Sequence, residues 1–369
     1  MSESLAKLED KNIFQRLGLP EEPLILAPLA GVSDAPFRRI CSLMGADLTY
    51  IEMLSATAIV YKNRRTLDML KRHPTEKILG VQITSRSAEE MYEAVRILED
   101  YPLDTIDINM GCPVKKVVKV GCGSAIMKDL DRVSKTCEAA VRASSRPVSA
   151  KIRLGWDSSS MNFIEVARRA RDAGVQWITL HGRTRADTYA QAVDLFAIQQ
   201  LVEDLNIPVI GNGNIFSSPD FQRMKQFCKV QTAMVSRGAL GNPWVFREIK
   251  AGGKIPPLSI TEWWDGVLSH LLWQEEEYGI SSKSIICMRK HLLWYMKGWQ
   301  GAKTLKEELG FLEDPLLVRQ KFQDFVHTTL QTGGDSIYRI PLHQAPDGTG
   351  ESKFLWDPKW EMERQESDF

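Results

Sequence analysis

The sequence predicts an α/β protein, a (β/α)8 TIM barrel followed by a small C-terminal helical domain. Three observations carry this. Eight short aliphatic or β-branched runs recur within the first 250 residues. The segments between them show helical spacing. After Gly253 the strand-like runs stop.

The runs begin at Leu24 (LILAPLA), Leu48 (LTYIEML), Ile78 (ILGVQI), Thr105 (TIDINMG), Val148 (VSAKIRL), Trp177 (WITLHG), Ile207 (IPVIGNG) and Thr232 (TAMVSRG). Their start-to-start spacings are 24, 30, 27, 43, 29, 30 and 25 residues. A strand with its crossover helix takes about 30 residues, so the intervals fit and the fourth carries an insertion. Near-continuous apolar runs suit strands buried on both faces. Between the third and fourth runs, Ala88, Met91, Ala94, Val95 and Leu98 mark one helix face; Val166, Ala170 and Ala173, before Gly174, mark another. A doubly wound sheet would have fewer strands and a glycine-rich turn after the first, where this chain reads Pro-Leu-Ala-Gly-Val-Ser-Asp. Lys254-Ile-Pro-Pro257 reads as a linker. Beyond it, Trp264 to Glu277 and Ser284 to Lys297 have helical patterns. The expected division is 1–253, a catalytic barrel; 258–334, a helical domain; and 335–369, an acidic tail.

Composition bounds the function. Apolar residues at 43% and charged residues at 25% exclude a disordered chain. No run nears the roughly 18 apolar residues of a membrane helix, and the N-terminus shows no apolar signal segment. Six cysteines without a C-x-x-C pair read as reduced cytosolic thiols. No disulfide framework and no metal site are expected, and the location expected is cytoplasmic. The net charge of zero hides an uneven distribution. Ten acids and eight bases fall in 258–334, eight acids and four bases in 335–369, which leaves +6 on residues 1–257. Neutrality therefore does not exclude a nucleic acid.

In this fold chemistry sits at the C-terminal ends of the strands. Those ends carry Gln82, Asn109, Lys151, Arg153, His181, Asn212, Gly213, Arg237 and Gly238, while the first ends apolar at Pro28, Leu29 and Ala30. Singly, each has an ordinary reading: a surface amide, a core histidine, a strand-ending glycine. Lys151 is less ordinary, because an ammonium inside a strand needs a partner or ligand. Together they describe a cradle for flavin mononucleotide. The loops after strands 7 and 8 are the recurrent phosphate site of this fold, Arg237 adds a charge there, and Lys151 would face the electron-rich edge of the ring. Cys112 lies between a glycine and a proline just past a strand end, where a sharp turn exposes a thiol. Lys115, Lys116 and Lys119 follow; they favour thiolate and form a basic rim for a phosphate backbone.

Seven stretches then point to one family: LAPLAGVSDAPFR at 26–38, GVQI at 80–83, DINMGCPVKKV at 107–117, KIRLGW at 151–156, LHGRTRADTY at 180–189, IGNGNI at 210–215 and SRGALGNPWVF at 236–246. With MRKHLLWYMKG at 288–298, the chain resembles a bacterial tRNA-dihydrouridine synthase of the B-type branch over roughly residues 20–330. The resemblance implies an FMN-dependent, cytoplasmic, monomeric enzyme that uses NADPH and needs no protein partner or membrane. It implies that FMN N5 gives hydride to C6 of a tRNA uridine and that Cys112 protonates C5. It places Pro28, Leu29, Ala30, Gln82, Lys151, His181, Asn212, Gly213, Arg237 and Gly238 on FMN, and Asn109, Arg153 and Tyr189 on the uracil. Lys115, Lys116, Arg289, Lys290 and His291 are the candidates to hold the RNA. Three positions depart from the family pattern: Ser236 where many relatives carry glycine, Cys122, and the stretch WQGAKTLKEEL after the helical motif. Competing readings are a reductase of ribosomal RNA, a reductase of a small unsaturated substrate, and a catalytically silent RNA-binding protein. A small substrate would need neither the helical domain nor the basic loop.

Overall fold

The computed structural model describes residues 12–297, 299 and 301–333. Eight parallel strands close into a barrel in chain order. They are β1 (Ile25–Leu26), β2 (Leu48–Ser55), β3 (Ile78–Thr84), β4 (Thr105–Asn109), β5 (Val148–Arg153), β6 (Ile178–His181), β7 (Val209–Asn212) and β8 (Thr232–Val235). Each falls in one of the eight apolar runs. β1 is short because Pro28 follows it and has no N–H for a ladder. The Ala88–Leu98 helix buries Met91, Ala94, Val95 and Leu98, the spacing read from sequence, and Ser87 caps its start by accepting from Glu90 N. The long fourth interval holds the loop 110–114, a short helix Lys115–Lys119 and a 3-10 turn Gly123–Lys128.

Register builds the site. Gln82 pairs with Asp107 and Asp107 with Ser149. Asn109 pairs with Lys151, Arg153 with His181, and His181 with Asn212. Paired residues in neighbouring strands point to the same face, so these polar groups form layers at one barrel end. The opposite end is plugged by apolar packing. Phe14, from the helix Ile13–Arg16, meets Trp177 with ring centroids 5.5 Å apart, over Tyr50, Ile25 and Met234.

Residues 254–258 belong to no helix or strand. Beyond them lie helices Ile260–Tyr278, Ser282–Tyr295, Ala302–Leu309 and Pro315–Gly333, as the sequence predicts. They share their own core, including Trp263, Val267, Met288, Leu292 and Phe322. The Ile260–Tyr278 helix packs on the barrel helix Ala35–Leu43. Arg39 pairs with Glu276 at 3.0 Å and Lys71 with Glu277 at 2.7 Å across this junction. Among the described residues, no helix is long and apolar enough to cross a membrane. The expected acidic tail, 335–369, lies outside the described residues.

Candidate active site

The C-terminal strand ends surround a cleft of about 960 Å³, its open mouth included. The lip comes from Pro28, Leu29 and Ala30 after β1. Gln82, Asn109, Cys112, Lys151, Arg153, His181, Asn212, Gly213, Arg237 and Gly238 complete the ring, with Tyr189 from the loop after β6. Residues spread over more than two hundred positions thus line one space.

A hydrogen-bonded relay forms the β3–β4 side. Buried Asp107 accepts from Ser149 Oγ at 2.6 Å and from Gln82 Nε2 at 2.6 Å. Gln82 Oε1 accepts from Asn109 Nδ2 at 2.7 Å. Asn109 Oδ1 then accepts from Gly111 N at 3.1 Å and Cys112 N at 2.9 Å. This chain fixes the start of the cysteine loop, and Ser124 fixes its carbonyl, which accepts from Ser124 Oγ at 2.9 Å. Gly123 is required beside it: φ is +59°, and a Cβ would lie 2.7 Å from the Cys112 carbonyl oxygen. Cys112 itself is half-buried, so its thiol reaches the cleft without being fully solvated.

The β5–β8 side is cationic. Lys151 Nζ donates to Asn212 Oδ1 at 2.9 Å, and Asn212 Nδ2 donates to Met234 O and to Ser236 Oγ, both at 2.9 Å. Burial lowers the Lys151 pKa from 10.5 to about 8; Arg153 pushes it further down and Asp107 opposes. Burial also lowers the Arg153 pKa, against the pull of Tyr189, Cys112 and Asp187. His181 is held well below its usual value by burial first, then by Arg153, Lys151, Arg183 and Arg237. It is therefore a neutral imidazole, one donor and one acceptor. Arg237 donates to Asn214 Oδ1 at 3.0 Å and sits 3.9 Å over the Tyr189 ring. Three cationic side chains, Lys151, Arg153 and Arg237, line the cleft and no carboxylate does among the described residues, which makes an anion-accepting mouth. At Gly238 a Cβ would lie 2.1 Å from the Ile215 carbonyl oxygen, so only glycine lets these two loops close on each other.

Comparison with known proteins decides the family. The model of the dihydrouridine synthase (Dus) family matches residues 25–328. The chain belongs to the dihydrouridine synthase family. It is 36% identical over 296 residues to tRNA-dihydrouridine synthase B of Pasteurella multocida, covering 79% of this chain and 89% of that protein. It is 38% identical over 296 residues to the protein of the same name from Xanthomonas campestris, with the same coverage. A probable tRNA-dihydrouridine synthase of Rickettsia bellii is 34% identical over 307 residues, 82% of this chain and 94% of that one. These names bear out the resemblance to the B-type branch.

In this dihydrouridine synthase family member the outer candidates divide. Lys115 is exposed and Lys116 half-buried, on the short helix that follows the cysteine loop. Arg289 is half-buried and donates to Leu312 O at 3.1 Å. Lys290 and His291 are buried, at 6% and 0% exposure. This corrects the expectation that they hold RNA. Their helix is wedged between the barrel and its neighbours, with Phe37 of the barrel 4.9 Å and His270 of the preceding helix 4.8 Å from the His291 ring. Sequence reading also passed over Asp107, Ser149, Asn214 and Met53. Asp107 had a readable signal: an acid inside the apolar run TIDIN is costly unless partnered.

Proposed function

We propose that this chain reduces uridine in tRNA to 5,6-dihydrouridine, with FMN in the cleft and NADPH as reductant. The observation that carries the reading is one cleft lined on one side by Cys112 and on the other by Lys151, His181 and Arg237. The residues fit the flavin. An apolar lip at Pro28, Leu29 and Ala30 suits a flat ring, the cationic mouth suits a phosphate and a reduced anion, and Gly238 and Gly213 leave backbone accessible there. Bound FMN would supply the hydride for C6 of the uracil.

The chain's own residues supply the rest. Cys112 holds the proton for C5, a general acid positioned by Asn109. Arg153 receives the negative charge that develops on the uracil oxygen. Its Nη1 donates to Thr184 O at 2.7 Å, which steadies the guanidinium for that task. Neutral His181 can donate without adding charge. Asn109 and Tyr189 position the base. The uridine must leave its stack to enter, at a cost of a few kcal/mol. Lys115, Lys116 and Arg289 meet phosphates of the RNA body, and the helical region holds its shape.

The test uses one preparation. A yellow protein that, with NADPH, adds two hydrogens to uridine in unmodified tRNA supports the reading. A yellow protein that leaves tRNA unchanged and reduces ribosomal RNA or a small unsaturated substrate replaces the substrate. A colourless protein that binds tRNA overturns the chemistry.

A further inference from the structure

A second cluster of chemistry-bearing groups lies where the helical region meets the barrel. Asp34 starts the helix Ala35–Leu43. His270 belongs to the helix Ile260–Tyr278 and His291 to Ser282–Tyr295. A ligand atom from each of the three lies within 4.8 Å of the others. None of the three lines the active-site cleft. Both imidazoles are fully buried, and His270 Nε2 and both ring nitrogens of His291 have no hydrogen-bond partner. Native proteins rarely bury such groups unpaired.

We propose that Asp34, His270 and His291 bind a divalent cation of the zinc type, which ties the helical region to the barrel. Two imidazole nitrogens and a carboxylate oxygen are a zinc donor set. The surroundings orient these donors as ligand-supporting partners do. His270 Nδ1 is hydrogen-bonded to Tyr295 Oη at 3.0 Å, which leaves Nε2 for the ion. Asp34 Oδ2 accepts from Gln274 Nε2 at 3.1 Å, one helical turn from His270. The Asp34 and Glu52 carboxylates offset the two charges of the ion, and the Lys290 ammonium, which acts on Asp34, Glu52 and both imidazoles, leaves one net positive charge around the site. The proposal is independent of the uridine-reductase reading.

The experiment is equilibrium dialysis of the full chain, stripped with a chelator, against Zn2+, with metal counted by mass spectrometry and thermal unfolding recorded. One zinc per chain and an unfolding midpoint that rises with zinc are expected. Asp34→Asn keeps the helix cap and removes a ligand; His291→Phe keeps the aromatic packing. Both should lose the stoichiometric zinc while keeping their flavin. Tyr295→Phe should weaken zinc by roughly 10–100-fold, the usual effect of losing an outer-shell partner. A stripped wild-type chain that takes up no zinc overturns the proposal, as does zinc that stays equally tight in Asp34→Asn and His291→Phe.

Discussion

Lys151→Met should stabilise the flavin-free protein and weaken its hold on flavin. Burial takes the lysine pKa from 10.5 to about 8, and one pKa unit is about 1.36 kcal/mol. The charged form is therefore disfavoured in the fold by about 3 kcal/mol. The side chain is half-buried, so solvent screening reduces this. Losing the 2.9 Å bond to Asn212 Oδ1 costs about 1 kcal/mol. The net gain expected at pH 7 is about 1 kcal/mol. The sign with pH follows. Between pH 8 and 10.5 the unfolded chain binds more protons at this group than the fold does, so stability rises with pH. The full contribution is present above 10.5 and is lost as pH falls through 8. Urea unfolding of flavin-free wild type should show this rise, and Lys151→Met should lack it. Flavin content after gel filtration should fall in the variant. Equal pH slopes in the two proteins, or a less stable variant at pH 7, would refute the reasoning.

Cys112→Ala should keep flavin and NADPH oxidation by oxygen, while tRNA reduction falls about 10²–10⁴-fold, the usual worth of a positioned acid; single-turnover kinetics measure it. Asn109→Ala removes the acceptor of two loop N–H groups and the donor to Gln82. At about 1 kcal/mol each, the loss is roughly a hundredfold in tRNA reduction, read as kcat with flavin content unchanged. Arg38→Met breaks a fully buried ion pair with Glu76 at 2.7 Å, and chemical denaturation should show a loss of about 3–5 kcal/mol because Glu76 stays buried and unpaired.

The barrel was legible because strands buried on both faces leave uninterrupted apolar runs, and the barrel's chain order is then the simplest closure. The cleft was legible because every strand ends at the same rim, so polar residues at run ends must meet. Lys290 and His291 were misread for a physical reason. Polar residues on an amphipathic helix are assigned to solvent, but this helix is covered on more than one side and buries them. The Asp34, His270 and His291 cluster has no local signature at all. Its members lie on three elements that only the docking of the helical region brings together, so no spacing rule reports it. Asp107 was a different failure: Thr105, Asp107 and Asn109 alternate along β4, and reading that alternation would have put all three on one face.

Asp107 is where this reasoning can be tested most sharply, because it touches both halves of the site. It supports Lys151 by charge and Cys112 through the amide relay. Asp107→Asn removes the charge and keeps the shape. Its new Nδ2 can donate to Ser149 Oγ, since a hydroxyl both donates and accepts, and its Oδ1 still accepts from Gln82 Nε2. The relay to Cys112 then survives, and the Lys151 pKa falls further. Asp107→Leu leaves Gln82 Nε2 and Ser149 Oγ without this partner, about 1–3 kcal/mol for each buried group. If the relay positions Cys112, Asp107→Asn should retain most tRNA reduction with a pH profile moved by the altered lysine, and Asp107→Leu should lose both stability and turnover. Equal damage from the two would mean that the charge beneath Lys151 matters and the relay does not.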